Sequence, residues 1–139
     1  MEFDKTTQDA VKLIHEGNHI IFHEVGRVCE KYHLNYFLDS GNLIGAVREK
    51  SDIPWDDDAD IAMTRKDFEV FRKVARTELK DGFVYVEPDE LNGAFYDFVP
   101  RVVMLDSTMR ENNAEQKYYG NGIHNHMRTD IFIVDDVSD

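Results

Sequence analysis

The 139-residue chain has a single cysteine, Cys29, so no disulfide can form within it. Cys29 sits in an apolar-periodic stretch and is expected to pack as a small hydrophobe. Prolines are scarce, at positions 54, 88 and 100 only. No run approaches the roughly 18 apolar residues that a membrane-spanning helix needs. The opening Met1-Glu2-Phe3-Asp4-Lys5 lacks the basic and apolar segments of a secretory signal. These absences set the expectation of a cytoplasmic protein with no transmembrane segment. Positive charge is also short: 16 Lys and Arg stand against 28 Asp and Glu, for a net charge of -12. Such a surface repels the nucleic-acid backbone and anionic membranes. A phosphate-bearing substrate would need a cation to bridge it.

Apolar residues make up 42% of the chain, with nine Phe and six Tyr. That is enough for one packed core, and the length suits a single domain over 1–139. No repeat, linker or low-complexity tract interrupts it. Val11, Ile14, Ile21, Phe22, Val25, Val28, Cys29 and Tyr32 recur at helical spacing and predict a helix from about Thr7 to Tyr32. Asn35 to Asp39 reads as a short strand ended by Ser40-Gly41. Asn42 to Lys50 reads as a short helix with Asn42 as N-cap. Ser51 to Asp57 reads as a loop and Asp58 to Met63 as a second strand. Thr64-Arg65-Lys66-Asp67 resembles a capping box with Asp in place of Glu. Phe68, Phe71, Ala75 and Leu79 then mark an amphipathic helix that stops at Gly82. Phe83 to Glu87, one or two segments within Phe95 to Leu105, and Thr129 to Val134 read as further strands. Arg110 to Asn125 is polar and reads as an irregular excursion. The mixture predicts an α+β protein with an α/β-like element order.

Three places carry chemistry. The first is Leu38-Asp39-Ser40-Gly41-Asn42-Leu43-Ile44-Gly45. Gly41 lets a phosphate approach the backbone, and N–H groups of the following helix would face it; a plain turn explains the same residues. The second is Ile53-Pro54-Trp55-Asp56-Asp57-Asp58-Ala59-Asp60-Ile61. Asp58 and Asp60 are two apart, so on a strand they share a face and can grip one hard cation; a solvated acidic loop is the bland reading. Asp56 and Asp57 are expected to shape the approach loop, with Trp55 anchoring it in the core. The third is Arg128-Thr129-Asp130-Ile131-Phe132-Ile133-Val134-Asp135, an acidic residue entering an apolar strand. Asp130 there is costly unless paired or metal-bound, or else it caps the strand. Arg101, on an apolar strand, suits either a buried phosphate contact or an ion pair with an Asp.

Other residues have simpler readings. His15, His19 and His23 lie four apart on one helix face and read as a polar stripe, although that spacing can bind metal. His124 and His126 resemble half a zinc site and read as surface residues. Tyr118 and Tyr119 read as packing residues, although an aromatic pair can also hold a base or a quaternary amine.

Taken in order, the glycine turn, the D-x-D stretch and the later Asp130 follow the layout of the polymerase-β-like nucleotidyltransferase fold, a mixed sheet flanked by helices. Gly41-Asn42-Leu43-Ile44-Gly45-Ala46-Val47-Arg48, Ile53 to Ile61 and Asp130 to Asp135 together resemble the LicD family over about residues 10 to 136. The resemblance implies a transferase that moves phosphocholine or a polyol phosphate from a CDP-linked alcohol to a hydroxyl of a cell-surface glycan or teichoic acid. It implies that Asp58, Asp60 and Asp130 are the catalytic, metal-holding residues, with Mg²⁺, or alternatively Mn²⁺, as cofactor. By motif position Gly41 and Asn42 would lie against the donor phosphates, with Arg48 a candidate phosphate or structural contact near them; Arg101, from its place on an apolar strand, is a further substrate-side candidate. Family members commonly have Ser or Thr where this chain has Asn42. They also usually continue past the third motif into a region expected to shape the acceptor site, whereas this chain ends four residues after Asp135. A nucleotidyltransferase acting on a small molecule and a non-catalytic module of the same fold are the alternatives.

Overall fold

The computed structural model describes residues 5–88, 90, 98–107 and 126–137. Helix α1 (Lys5–Lys31) is followed by β1 (Phe37–Leu38), α2 (Ser40–Ile44) and a π-helical turn (Gly45–Glu49). Then come β2 (Asp60–Thr64), α3 (Arg65–Glu78), β3 (Phe83–Val86), β4 (Arg101–Met104) and β5 (Met127–Val134). The strands form one open sheet in the order β1-β2-β5-β4-β3. Only β2 and β5 are parallel; the other pairs are antiparallel. The result is a mixed α+β sheet of the nucleotidyltransferase-like kind, with β5 at its centre.

One face of the sheet is the core. Ile61 and Met63 of β2, Ile131 of β5, Val102 of β4 and Tyr85 of β3 point the same way by strand alternation. They pack against Ile21, Val25, Val28 and Cys29 of α1 and Phe68, Phe71 and Ala75 of α3. Burial pushes the Cys29 thiol up to about 12, as expected of a cysteine used for packing. Thr64 caps α3, accepting a hydrogen bond from the Asp67 N–H at 3.3 Å, as the capping pattern predicts. Glu24 of α1 binds Arg27 at 2.6 Å and accepts from the Lys80 N–H, while Arg27 donates to the Glu78 carbonyl at 2.6 Å. Two side chains of α1 thus finish the C-terminal end of α3.

Four expectations change. Helix α2 begins at Ser40 with Asp39 in the N-cap position, so Asn42 lies inside the helix and caps nothing. Strand β2 starts at Asp60, which leaves Asp58 in the preceding loop. Asp130 is inside β5 rather than at its entry, because pairing with β4 and β2 extends back past it. Trp55 is 61% exposed, and the loop is anchored instead by its buried neighbours Ile53 and Ala59. Tyr118, Tyr119, His124 and the whole polar stretch 110–125 lie outside the described residues.

Phe71 is fully buried and meets Tyr85 edge-on, with ring centroids 5.9 Å apart. Phe71→Ala should therefore lower unfolding free energy by about 3–5 kcal/mol in a urea titration.

Candidate active site

The opposite face of the sheet carries the charges. Parallel register pairs Asp60 with Asp130, and antiparallel register pairs Asp130 with Arg101. In-register neighbours point to the same side, so β2, β5 and β4 present Asp60, Asp130 and Arg101 in one row. Strands lie about 4.8 Å apart, which brings the two carboxylates into direct electrostatic contact. The Asp60 carboxyl is pushed from the usual 3.8 to about 6, first by burial and then by the charges of Asp130 and Asp58. A hydrogen bond from Ser40 works the other way. Ser40 holds this place with φ at 48°, a left-handed conformation uncommon for a residue with a side chain.

Asp58 lies one step upstream. The Asp130 N–H donates to the Ala59 carbonyl at 2.8 Å, so the pairing of the two strands runs beyond β2 toward Asp58. Continued register sets Asp58 near Arg128, which shares the Asp130 face of β5. The Asp58 carboxyl is raised by burial and by Asp57 and Asp56, and Arg128 counters this. Oxygens of Asp56, Asp57 and Asp58 all lie within 4.8 Å of one another. Asp56 and Asp57, expected only to shape the loop, thus add their charge to the cluster. The loop turns sharply to place them: the Asp56 N–H donates to the Ile53 carbonyl at 3.0 Å, around Pro54. Proline suits the second position of such a turn.

Glycine 41 has a specific steric role. A β-carbon there would overlap the Asp56 carboxylate, so a side chain at 41 would displace one of the clustered acids. Asn42 Oδ1 accepts from the Asp60 N–H at 2.7 Å, tying α2 to the first residue of β2. Arg101 is 1% exposed, and its Nε lies 2.9 Å from Asp130 Oδ1. Between a phosphate contact and an ion pair with an Asp, its observed position is the ion pair. Arg48 lies in the π-helical turn, is exposed, and pairs with Glu49 at 2.6 Å. Its described contact is with that neighbour and not with the carboxylate row. A set of crowded carboxylate oxygens with raised proton affinity is chemically suited to a hard divalent cation such as Mg²⁺ or Mn²⁺.

Residues 33–136 match the family described as LicD/FKTN/FKRP, nucleotidyltransferase domain. The chain belongs to the LicD family. A stretch of 44 residues, 32% of this chain, is 50% identical to the lipopolysaccharide cholinephosphotransferase LicD of Haemophilus influenzae. That stretch is only 17% of the relative's length.

Several residues around the carboxylate row of this LicD-family chain escape sequence reading. Arg128 is one: its side chain is 30% exposed, and its Nε lies 3.9 Å from Asp130 Oδ1. The two-residue spacing to Asp130 was visible, but its meaning needed the strand to extend back to Met127. His15 and His19, read as part of a polar stripe, reach the acidic loop, and Asn18 between them is buried. Nothing in an isolated helix marks an asparagine as facing a loop some forty residues away.

Two outcomes follow from this geometry. Because folding raises the Asp60 pKa, the native state holds its proton more tightly than the unfolded chain. The resulting penalty is full above about pH 6 and vanishes below the unfolded value of 3.8. Asp60→Asn should therefore raise the melting temperature in EDTA at pH 7.5. The gain should be on the order of 2–4 °C once solvent screening is allowed for, and should fade toward pH 4 in differential scanning calorimetry. Arg101→Met should destabilise the fold by about 3 kcal/mol by leaving Asp130 without its buried partner, and adding Asp130→Asn should recover part of that loss in urea titrations.

Proposed function

We propose that this LicD-family domain transfers a phospho-alcohol, phosphocholine or a polyol phosphate, from a CDP-linked donor to a hydroxyl of a cell-surface glycan or teichoic acid. The observation that carries this reading is the in-register pair Asp60 and Asp130, joined by Asp58 and strained by mutual repulsion. An acidic chain would repel a diphosphate, so its carboxylates make sense as a cradle for the cation that accompanies one. Asp58, Asp60 and Asp130 are the proposed ligands of Mg²⁺, with Mn²⁺ as a substitute. When bound, that ion neutralises the donor phosphates and aligns the attacking and leaving oxygens.

The chain's own groups have distinct parts. Arg101, the buried end of the row, compensates Asp130 and fixes its orientation. Asp130 then acts as a ligand in preference to a base. Arg128, partly exposed beside Asp58 and Asp130, is the proposed contact to a donor phosphate. Asn42 holds the Asp60 backbone, and its amide N–H₂ is the part of it available to a phosphate oxygen. Gly41 keeps room for Asp56. In the reaction an acceptor hydroxyl oxygen bonds to the alcohol-bearing phosphorus. The bond from that phosphorus to the bridging oxygen breaks, CMP leaves with the electron pair, and the hydroxyl proton passes to solvent or a carboxylate.

The test is chromatographic assay of CMP from CDP-choline and CDP-polyols, with glycan or teichoic acid acceptor, in Mg²⁺ and in EDTA. Release should require Mg²⁺, and Asp58→Asn or Asp130→Asn should cut it at least about 100-fold. Pyrophosphate release from an NTP, with no CMP from any CDP-alcohol, would replace this reading with nucleotidyl transfer to a small molecule.

A further inference from the structure

Helix α1 belongs to the core on the far side of the sheet, yet its first half also reaches the acidic loop. The His15 Nε2–H donates to the Asp56 carbonyl at 2.7 Å. The Asn18 amide donates to the Asp58 carbonyl at 3.3 Å, from a side chain only 3% exposed. His19 Nε2 lies 2.9 Å from the Asp52 carboxylate at the start of the same loop, and His15 Nδ1 faces that carboxylate at 3.9 Å. Positions 15, 18 and 19 share one helix face, so a single rigid element grips the loop at its entry and at two of its acidic residues.

We propose that His15 and Asn18 are positioning residues for the carboxylate cluster. They hold the backbone of Asp56 and Asp58 so that their side chains stay converged despite like-charge repulsion. The proposal rests on the cation-binding reading of that cluster. Oxygens of Asp56, Asp57 and Asp58 lie within 4.8 Å of one another, so their like charges would drive them apart if the backbone were free. The two donors act on carbonyl oxygens, which leaves every carboxylate oxygen available to a ligand. His15 is mostly buried and Asn18 almost wholly so, and each spends its donor on a loop carbonyl rather than on its own helix. Support of this kind, behind the ligating groups, is what preorganises a metal site.

Trp55 gives the measurement. It is the chain's only tryptophan and adjoins Asp56, so it can sensitise emission from Tb³⁺, a hard cation that takes oxygen ligands. Terbium titrations at pH 7.5, with Mg²⁺ competition, should be run on the wild type, His15→Ala, His15→Gln, Asn18→Ala and His19→Ala. Folding of each is checked by circular dichroism at the titration temperature. His15→Ala and Asn18→Ala should weaken Tb³⁺ binding about 10-fold each. His15→Gln, which keeps an N–H donor, should recover most of the loss. His19→Ala, which removes a contact to Asp52 at the loop's start, should leave affinity within about two-fold. Should His15→Ala not fold, His15→Asn, which shortens the reach of the donor with less loss of packing, takes its place. Unchanged Tb³⁺ affinity in folded His15 and Asn18 variants, with only their melting temperatures lowered, would overturn the positioning role and leave the cation site standing. Absence of Tb³⁺ and Mg²⁺ binding in the wild type would overturn both.

Discussion

Parallel pairing of β2 with β5 sets Asp60 directly beside Asp130, two acids on neighbouring strands of a sheet whose other face is dry core. Burial first, and then the like charges of Asp130 and Asp58, make Asp60 costly to ionise and raise its pKa to about 6. The surrounding residues answer this repulsion. Arg101 neutralises Asp130 from the next place in the row. Ser40 hydrogen-bonds Asp60 at the expense of an uncommon backbone conformation. Asn42 fixes the Asp60 backbone. Arg128 offsets the charge near Asp58. Each contact lessens the cost of the cluster, and none removes it.

The two faces of the sheet divide the work. Ile61, Met63, Val102 and Ile131 alternate with the charged row along the same strands, so the apolar face makes the charged one rigid. Helix α1 takes part in both. Its Ile21, Val25 and Val28 fill the core, while His15 and Asn18, further toward its N-terminus, hold the loop that completes the cluster. Any shift of α1 against the sheet would therefore move Asp56 and Asp58 relative to Asp60 and Asp130. Burial at one end of the helix steadies the geometry at the other.

Much of this fold was legible from periodicity. The apolar spacing of α1, the Thr64 cap with Phe68, Phe71 and Ala75 behind it, and the apolar run of β5 all depend on contacts within a few residues, where side-chain spacing carries the information. Errors gathered where distant partners decide. Asp58 was expected on a strand because it is two residues from Asp60, but the strand begins only where β1 and β5 supply backbone partners. Asn42 was read as a cap because its residue type favours caps, yet its oxygen is taken by a backbone N–H eighteen residues away. Trp55 was read as an anchor because of its size, but the loop turns at Pro54 and leaves it outside.

The sequence by itself determined the residue types and their order: a glycine before a short helix, an acidic D-x-D, and a single Asp entering a long apolar strand, within an acidic chain. Those features sufficed to reach the family and the fold class, because motif order and local hydrophobic spacing survive without three-dimensional information. Only the tertiary structure decided which acids share a row, that Arg101 faces Asp130, and that α1 grips the acidic loop. The physical reason is that strand register and helix docking are set by packing between segments far apart in the chain. Whether two charges attract, repel or never meet depends on that packing.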